Sequence, residues 1–146
     1  MQLDSLRSDI VGTQCSGGIG LYIHTNSWGS QSGYGEYSTQ SEDADDRTST
    51  WDQYWSYSGM TVLFAAGNEG NDGISPPGTA KNVITIGAHQ NRYSGAPDDM
   101  YHWSGRGPTD DGRIKPDLVA PGEYVRSCKS QAVSYTHLTL PTICSV

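Results

Sequence analysis

The stretch Met60 to Gly70, Met-Thr-Val-Leu-Phe-Ala-Ala-Gly-Asn-Glu-Gly, constrains the fold of this chain more than any other. Its first half, Thr61 to Ala66, is a short apolar run ending at a glycine, the pattern of a strand buried on both faces of a parallel sheet. Its second half, Gly67-Asn68-Glu69-Gly70, is loop chemistry set at the C-terminal end of that strand. Ligand sites of open α/β sheets gather at that edge. An Asn flanked by glycines there can aim its amide at a developing negative charge, as an oxyanion-hole donor does. Taken alone, Asn-x-Gly after a strand reads as a turn.

The neighbouring segments add context. His24-Thr25-Asn26-Ser27-Trp28-Gly29 precedes the stretch, and Pro77-Gly78-Thr79-Ala80-Lys81-Asn82-Val83-Ile84-Thr85-Ile86-Gly87-Ala88 follows it. Then come Ser104-Gly105-Arg106-Gly107-Pro108-Thr109 and Gly112-Arg113-Ile114-Lys115-Pro116-Asp117-Leu118-Val119-Ala120-Pro121-Gly122. In this order and spacing the segments resemble the catalytic domain of subtilisin-like serine proteases. The Asn-Ser-Trp-Gly and Lys-Pro-Asp spellings are most similar to the large alkaline, oxidatively stable bacterial branch. The resemblance runs from about Ile23 to Ser127. It implies an α/β three-layer fold with a mostly parallel sheet, of which this chain holds the central part.

The resemblance also implies roles for individual residues. Asn68 becomes the oxyanion-hole donor. Ser27, Trp28 and Gly29 form one wall of the substrate groove, pairing with an extended peptide as an added strand. Gly29 has no side chain to block that approach. Ala65, Ala66 and Gly67 form the other wall. Ser75 to Gly78 form the floor of the pocket for the residue before the scissile bond, with a cis bond expected at Pro76–Pro77. His24 is not read as the base, because it sits inside the strand and the family's base lies on another element. Gly105 stands where the family usually has Ser, a departure expected to affect packing alone.

A chain of 146 residues is expected to hold at most one domain, with a modest core for an enzyme. The net charge of −7 argues against a nucleic-acid or anionic-membrane partner. No apolar run approaches the roughly 20 residues that a membrane span needs. The implied partner is a peptide or protein substrate, and no cofactor is needed for the chemistry. The first residues lack the apolar region of a signal peptide. Either the protein is cytosolic or its true N-terminus lies upstream, and the second suits a secreted family. Cys15, Cys128 and Cys144 have no metal-ligand spacing and leave one thiol over in any disulfide scheme.

Along the chain, Leu3, Leu6 and Ile10 have a loose helical spacing, and Gly17-Gly18-Ile19-Gly20 lacks the preceding strand of a phosphate loop. Alternation from Ile19 to Trp28 predicts a strand. Glu42 to Ser58 reads as a helix, acidic at its start and capped by Gly59, with Ala44, Thr48, Trp51 and Trp55 on one stripe beside Tyr54. Strand, helix and the strand from Thr61 make a crossover unit. A second buried strand is expected over Asn82 to Gly87. His89 to Tyr101 reads as a polar insertion in which Asp98 and Asp99 suit a structural calcium, although a solvated loop is the simpler reading without further oxygen ligands. Arg106, Arg113 and Lys115 are expected to form surface pairs with Asp110, Asp111 and Asp117, each worth little.

The family's Gly-Thr-Ser-x-Ala nucleophile segment does not occur in the sequence, nor do its Asp-Thr-Gly and His-Gly-Thr segments. A serine hydroxyl is a poor nucleophile without its base, so the chain as written is expected to be inactive. From about Ala132, the run Val133-Ser134-Tyr135-Thr136-His137-Leu138-Thr139-Leu140-Pro141-Thr142 resembles a translated transposase-based sequencing adaptor. The expected organisation is thus a partial catalytic domain over residues 1–131 and a foreign tail over 132–146. Two rivals stand beside the protease fragment: a non-catalytic peptide-binding or structural module, and a nucleotide-binding α/β protein, which the misfit of the glycine cluster disfavours.

Overall fold

The computed structural model describes residues 23–48, 60–91, 96, 99–123 and 125. The N-terminal spacing, the Gly17–Gly20 cluster, the aromatics Trp51, Tyr54 and Trp55, Asp98, the three cysteines and the segment 132–146 lie outside these residues.

Among the described residues, four strands form one sheet in the order of the chain: β1 (Ile23–Asn26), β2 (Thr61–Ala65), β3 (Ile84–His89) and β4 (Leu118–Pro121). Every neighbouring pair is parallel, with Thr25 opposite Leu63, Leu63 opposite Ile84, and Ile86 opposite Leu118. A helix, α1 (Thr39–Thr48), separates β1 from β2 and packs on β2. This is an α/β architecture of the kind expected, seen in part.

The sequence reading located β2 to within one residue and β3 to within two. It misjudged how β2 is covered. Val62 and Phe64 are buried while Thr61 is exposed and Leu63 and Ala65 are half-buried, so among the described residues only one face is fully covered. That face meets α1 through Ala44 and joins Ala80 and Val83 in the core, with Met60 at its margin. β4 was missed as a strand because Leu-Val-Ala is too short a run to stand out from the loop before it.

The helix begins at Thr39 rather than Glu42, because Ser38 supplies the first carbonyl, accepting from the amides of Ser41 and Glu42 at 2.9 and 3.0 Å. Ser at that position is a favoured helix start. The inward stripe holds Ser41, Ala44, Asp45 and Thr48. Asp45 is no solvated charge: its carboxylate accepts from the Tyr37 hydroxyl at 2.8 Å and from the amides of Lys81 and Asn82 at 3.0 and 2.6 Å. Burial first, and then the Asp45 carboxylate, push the Tyr37 hydroxyl up to about 12. Helix and β3 entry are thus tied through one side chain.

The charge pairs after β3 follow expectation in part. Arg113 does pair with Asp111, through Nε at 2.9 and 2.8 Å to the two carboxylate oxygens. Arg106 instead donates to Asn71 at 3.2 Å and to the carbonyls of Met100 and Tyr101. Lys115 is buried, its side chain 3% exposed, and donates to the Val83 carbonyl at 3.0 Å and to Asp117 at 2.6 Å. A buried ammonium costs free energy unless it is paired and hydrogen-bonded, and here the fold supplies a carbonyl and a carboxylate. Asp117 also accepts from the Thr85 amide at 2.7 Å, locking β4 to the start of β3.

Candidate active-site cleft

A parallel sheet delivers the C-terminal ends of all its strands to one edge. Residues 27–29 leave β1 and residues 66–68 leave β2 side by side there. Between them lies a cleft of about 140 Å³ lined by Ser27, Trp28, Gly29, Ala65, Gly67, Asn68 and Ser75, together with Ser30, Gln31 and Glu69. Seven of the eight site residues expected from the sequence therefore meet. The eighth, Ala66, is buried behind the wall, where its N–H donates to Ile86 and its carbonyl accepts from Ser75 at 3.0 Å.

The turn out of β2 depends on Gly67, whose φ is +96°, a backbone conformation that side chains disfavour. A Cβ there would also lie 2.4 Å from the Ser75 hydroxyl and 2.5 Å from the Glu69 carboxylate. The turn leaves Asn68 exposed on the cleft, with its backbone N–H donating to Glu69 at 2.7 Å. Gly105 then closes the back of this loop, its N–H donating to the Gly67 carbonyl at 3.0 Å. A Cβ at Gly105 would stand 2.3 Å from the Ala66 carbonyl oxygen. A Ser at this position would require the Ala66 and Gly73 backbone to shift.

The floor is built by Ser75 and the two prolines after it. The Pro76–Pro77 peptide is cis, as expected. Ser75 donates its hydroxyl to Glu69 at 3.0 Å, and the Pro76 carbonyl accepts from the Ser30 amide at 2.7 Å. Thr85 of β3 braces the segment from behind, its hydroxyl donating to the Gly78 carbonyl at 2.5 Å. Gly29 also lets this floor approach closely, because a Cβ there would point at Ser75, 2.9 Å away.

Two residues that sequence reading left without a role shape the cleft. Glu69 gathers the Asn68 amide and the Ser75 hydroxyl on one carboxylate and sets a negative charge at the floor. The Tyr34 phenol is pushed up, by burial first and then by Glu69 and Asp72. A carboxylate directly after the Asn, between glycines, was the available signal. Asn26 is buried at 5% exposure, and its carbonyl oxygen accepts from the Trp28 indole at 3.1 Å. Trp28 rests its ring against Phe64, centroids 5.3 Å apart and nearly perpendicular. His24 lies beside Asn26, Nδ1 to Nδ2 at 2.8 Å.

Among the described residues, no group of three or more His, Cys, Asp or Glu side chains could hold a metal ion, and no helix is long and apolar enough to cross a membrane. Asp99, one of the two carboxylates read as suiting calcium, is exposed.

A parallel α/β sheet with a glycine-shaped Asn loop at its C-terminal edge defines a class, and comparison with known proteins supplies the family. The model of the subtilase family matches residues 8–144, and the chain belongs to that family. The match extends to residue 144, into the segment 132–146 read from sequence as a foreign tail. Serine protease AprX of Bacillus subtilis (strain 168) is 41% identical over 83 residues, covering 54% of this chain and 19% of that protein. Serine protease/ABC transporter B family protein tagD of Dictyostelium discoideum is 26% identical, covering 80% of this chain and 10% of that protein. An uncharacterized protein of Aquifex aeolicus (strain VF5), aq_aa18, is 38% identical over 79 residues, 49% of this chain and 34% of that protein. The chain thus spans at most about a third of the length of these relatives.

Proposed function

We propose that this chain is part of a serine endopeptidase, that its cleft holds an extended peptide, and that Asn68 stabilises the oxyanion formed at the scissile carbonyl. The observation that carries this reading is the meeting of Ser27–Gly29 and Gly67–Asn68 at one sheet edge in a chain of the subtilase family. The peptide lies along residues 27–29 as an added strand, with backbone hydrogen bonds holding the scissile bond extended. The side chain before that bond enters over Ser75. A serine activated by a histidine attacks the carbonyl carbon, the carbonyl electrons move onto oxygen, and the Asn68 amide donates to that oxyanion. Collapse expels the amine, and water then releases the acyl group.

The nucleophile, base and orienting carboxylate lie outside this sequence on the same reading. Residues 1–131 are then a partial catalytic domain, inactive alone, and residues 132–146 a foreign tail. The intact protein is secreted, needs no cofactor for its chemistry, and any structural calcium acts on stability. Its partners are peptides or proteins rather than nucleic acid or membrane.

The test is to read the source DNA past the codon for Ser127. A frame continuing into Gly-Thr-Ser-x-Ala, with Asp-Thr-Gly and His-Gly-Thr segments upstream, is the expected result. A gene without them overturns the protease reading in favour of a non-catalytic peptide-binding module.

A further inference from the structure

Behind the Trp28 wall lie two polar residues, His24 and Asn26, that the proposed mechanism does not use. His24, Asn26 and Trp28 alternate along β1 and its continuation, so they share one face. Asn26 stands between the other two, 5% exposed. Its Nδ2 donates to the Leu63 carbonyl at 3.2 Å and lies 2.8 Å from His24 Nδ1, while its Oδ1 accepts from Trp28 Nε1 at 3.1 Å.

Two of these partners fix the amide's orientation. A carbonyl oxygen only accepts and an indole N–H only donates. Turning the amide over would set oxygen against Leu63 and N–H against Trp28. The Asn26 NH₂ therefore faces His24, whose Nδ1 must offer a lone pair, leaving its proton on Nε2. A second proton on Nδ1 would bring two donors together at 2.8 Å.

The surroundings agree. Burial holds His24 below its ordinary value of 6.5, and among the described residues no charged neighbour contributes. β2, the strand beside it, carries only Thr61, Val62, Leu63, Phe64 and Ala65. The charges of α1, which packs on β2, are Glu42, Asp43, Asp45, Asp46 and Arg47, and none of them contributes to the shift.

We propose that Asn26 is a positioning residue of the cleft, holding the Trp28 indole in place through an amide orientation that only neutral His24 permits. Protonation of His24 then turns the amide, breaks its bonds to Trp28 and Leu63, and loosens one wall of the peptide groove. The peptide part of this inference rests on the cleft reading above, whereas the coupling of His24 to Trp28 does not.

The test follows the Trp28 indole ¹⁵N–¹H resonance of the full chain, assigned with Trp28→Phe, between about pH 8 and pH 5. The indole is expected to shift with a midpoint below 6.5, shared with the His24 ring. His24→Gln, which offers an acceptor that does not titrate, is expected to flatten the curve. Asn26→Asp keeps an acceptor for the indole but sets a negative charge beside His24, and is expected to raise the midpoint. Binding of the blocked peptide acetyl-Ala-Ala-Ala-Phe-amide is expected to weaken about threefold over the same range, the size of one neutral hydrogen bond, and not to weaken in His24→Gln.

An indole that stays fixed, or that titrates equally in His24→Gln, overturns the coupling. Unchanged peptide affinity beside a moving indole overturns the positioning role. No peptide binding at any pH, with the indole still titrating, sinks the cleft reading and leaves the His24–Trp28 coupling standing.

Discussion

The cleft end of β1 and β2 and the crossing of β3 with β4 are both polar, yet they use polarity in opposite ways. At the β3–β4 pairing the buried Lys115 is spent on Val83 and on Asp117, which is itself exposed, and Asp117 also accepts from Thr85. At the cleft the polar groups hold one another from behind, through Gly105, Ser75 and Glu69, and present Asn68 and Trp28 outward. The difference teaches that satisfied buried polarity fixes strand register, while polarity braced from one side makes a site.

The comparison breaks most sharply at Asn68. In a longer protein that carries the catalytic serine and histidine, Asn68→Ala is expected to lower kcat by roughly 10²–10³-fold, about 2.7–4 kcal/mol of barrier, with KM little changed. Steady-state kinetics on a blocked peptide amide checks this, and an unchanged kcat removes Asn68 from the oxyanion site. Behind the cleft, Gly105→Ala forces a Cβ against the Ala66 carbonyl and is expected to cost about 3 kcal/mol in urea unfolding. At the other region, Lys115→Met strips the cation from Asp117 and the donor from Val83. It should cost about 2 kcal/mol, and peptide binding by the folded fraction should be unaltered. Weakened binding in that variant would mean that the two regions are not separate.

The smallest effect belongs to Asp111. Hydrogen bonds from Arg113 and then Thr109 hold its carboxyl at about 2, below its ordinary 3.8. A depressed carboxyl contributes stability that is complete above the ordinary value and is lost as pH falls toward 2. Because Asp111 is exposed, solvent screens the pair and its share of stability is minor. A carboxyl ¹³C titration should place the midpoint near 2, moving toward 3.8 in Arg113→Ala.

What could be read in the sequence was whatever local chemistry dictates. The apolar run ending in Gly67 located β2, and the order of motifs gave the parallel α/β class. The cis peptide at Pro76–Pro77 came from the family resemblance and not from local chemistry. What could not be read depended on partners far along the chain. Lys115 reads as a surface charge because lysine usually is one, and its burial is created by Val83 and Asp117. Asp45 looks like any acidic helix residue until the Lys81 and Asn82 amides arrive beside it. Asn26 likewise reads as strand-end polarity. Its role needs Leu63 from the adjacent strand and Trp28 curling back over Phe64.

The central claim is that the β1–β2 end is open to a peptide and the β3–β4 crossing is closed. Amide hydrogen exchange of the full chain, with and without acetyl-Ala-Ala-Ala-Phe-amide, addresses it most directly. The account predicts slowed exchange at residues 27–29 and 66–68, with residues 107–118 unchanged. Protection confined to residues 107–118, or none anywhere at saturating peptide, would contradict it.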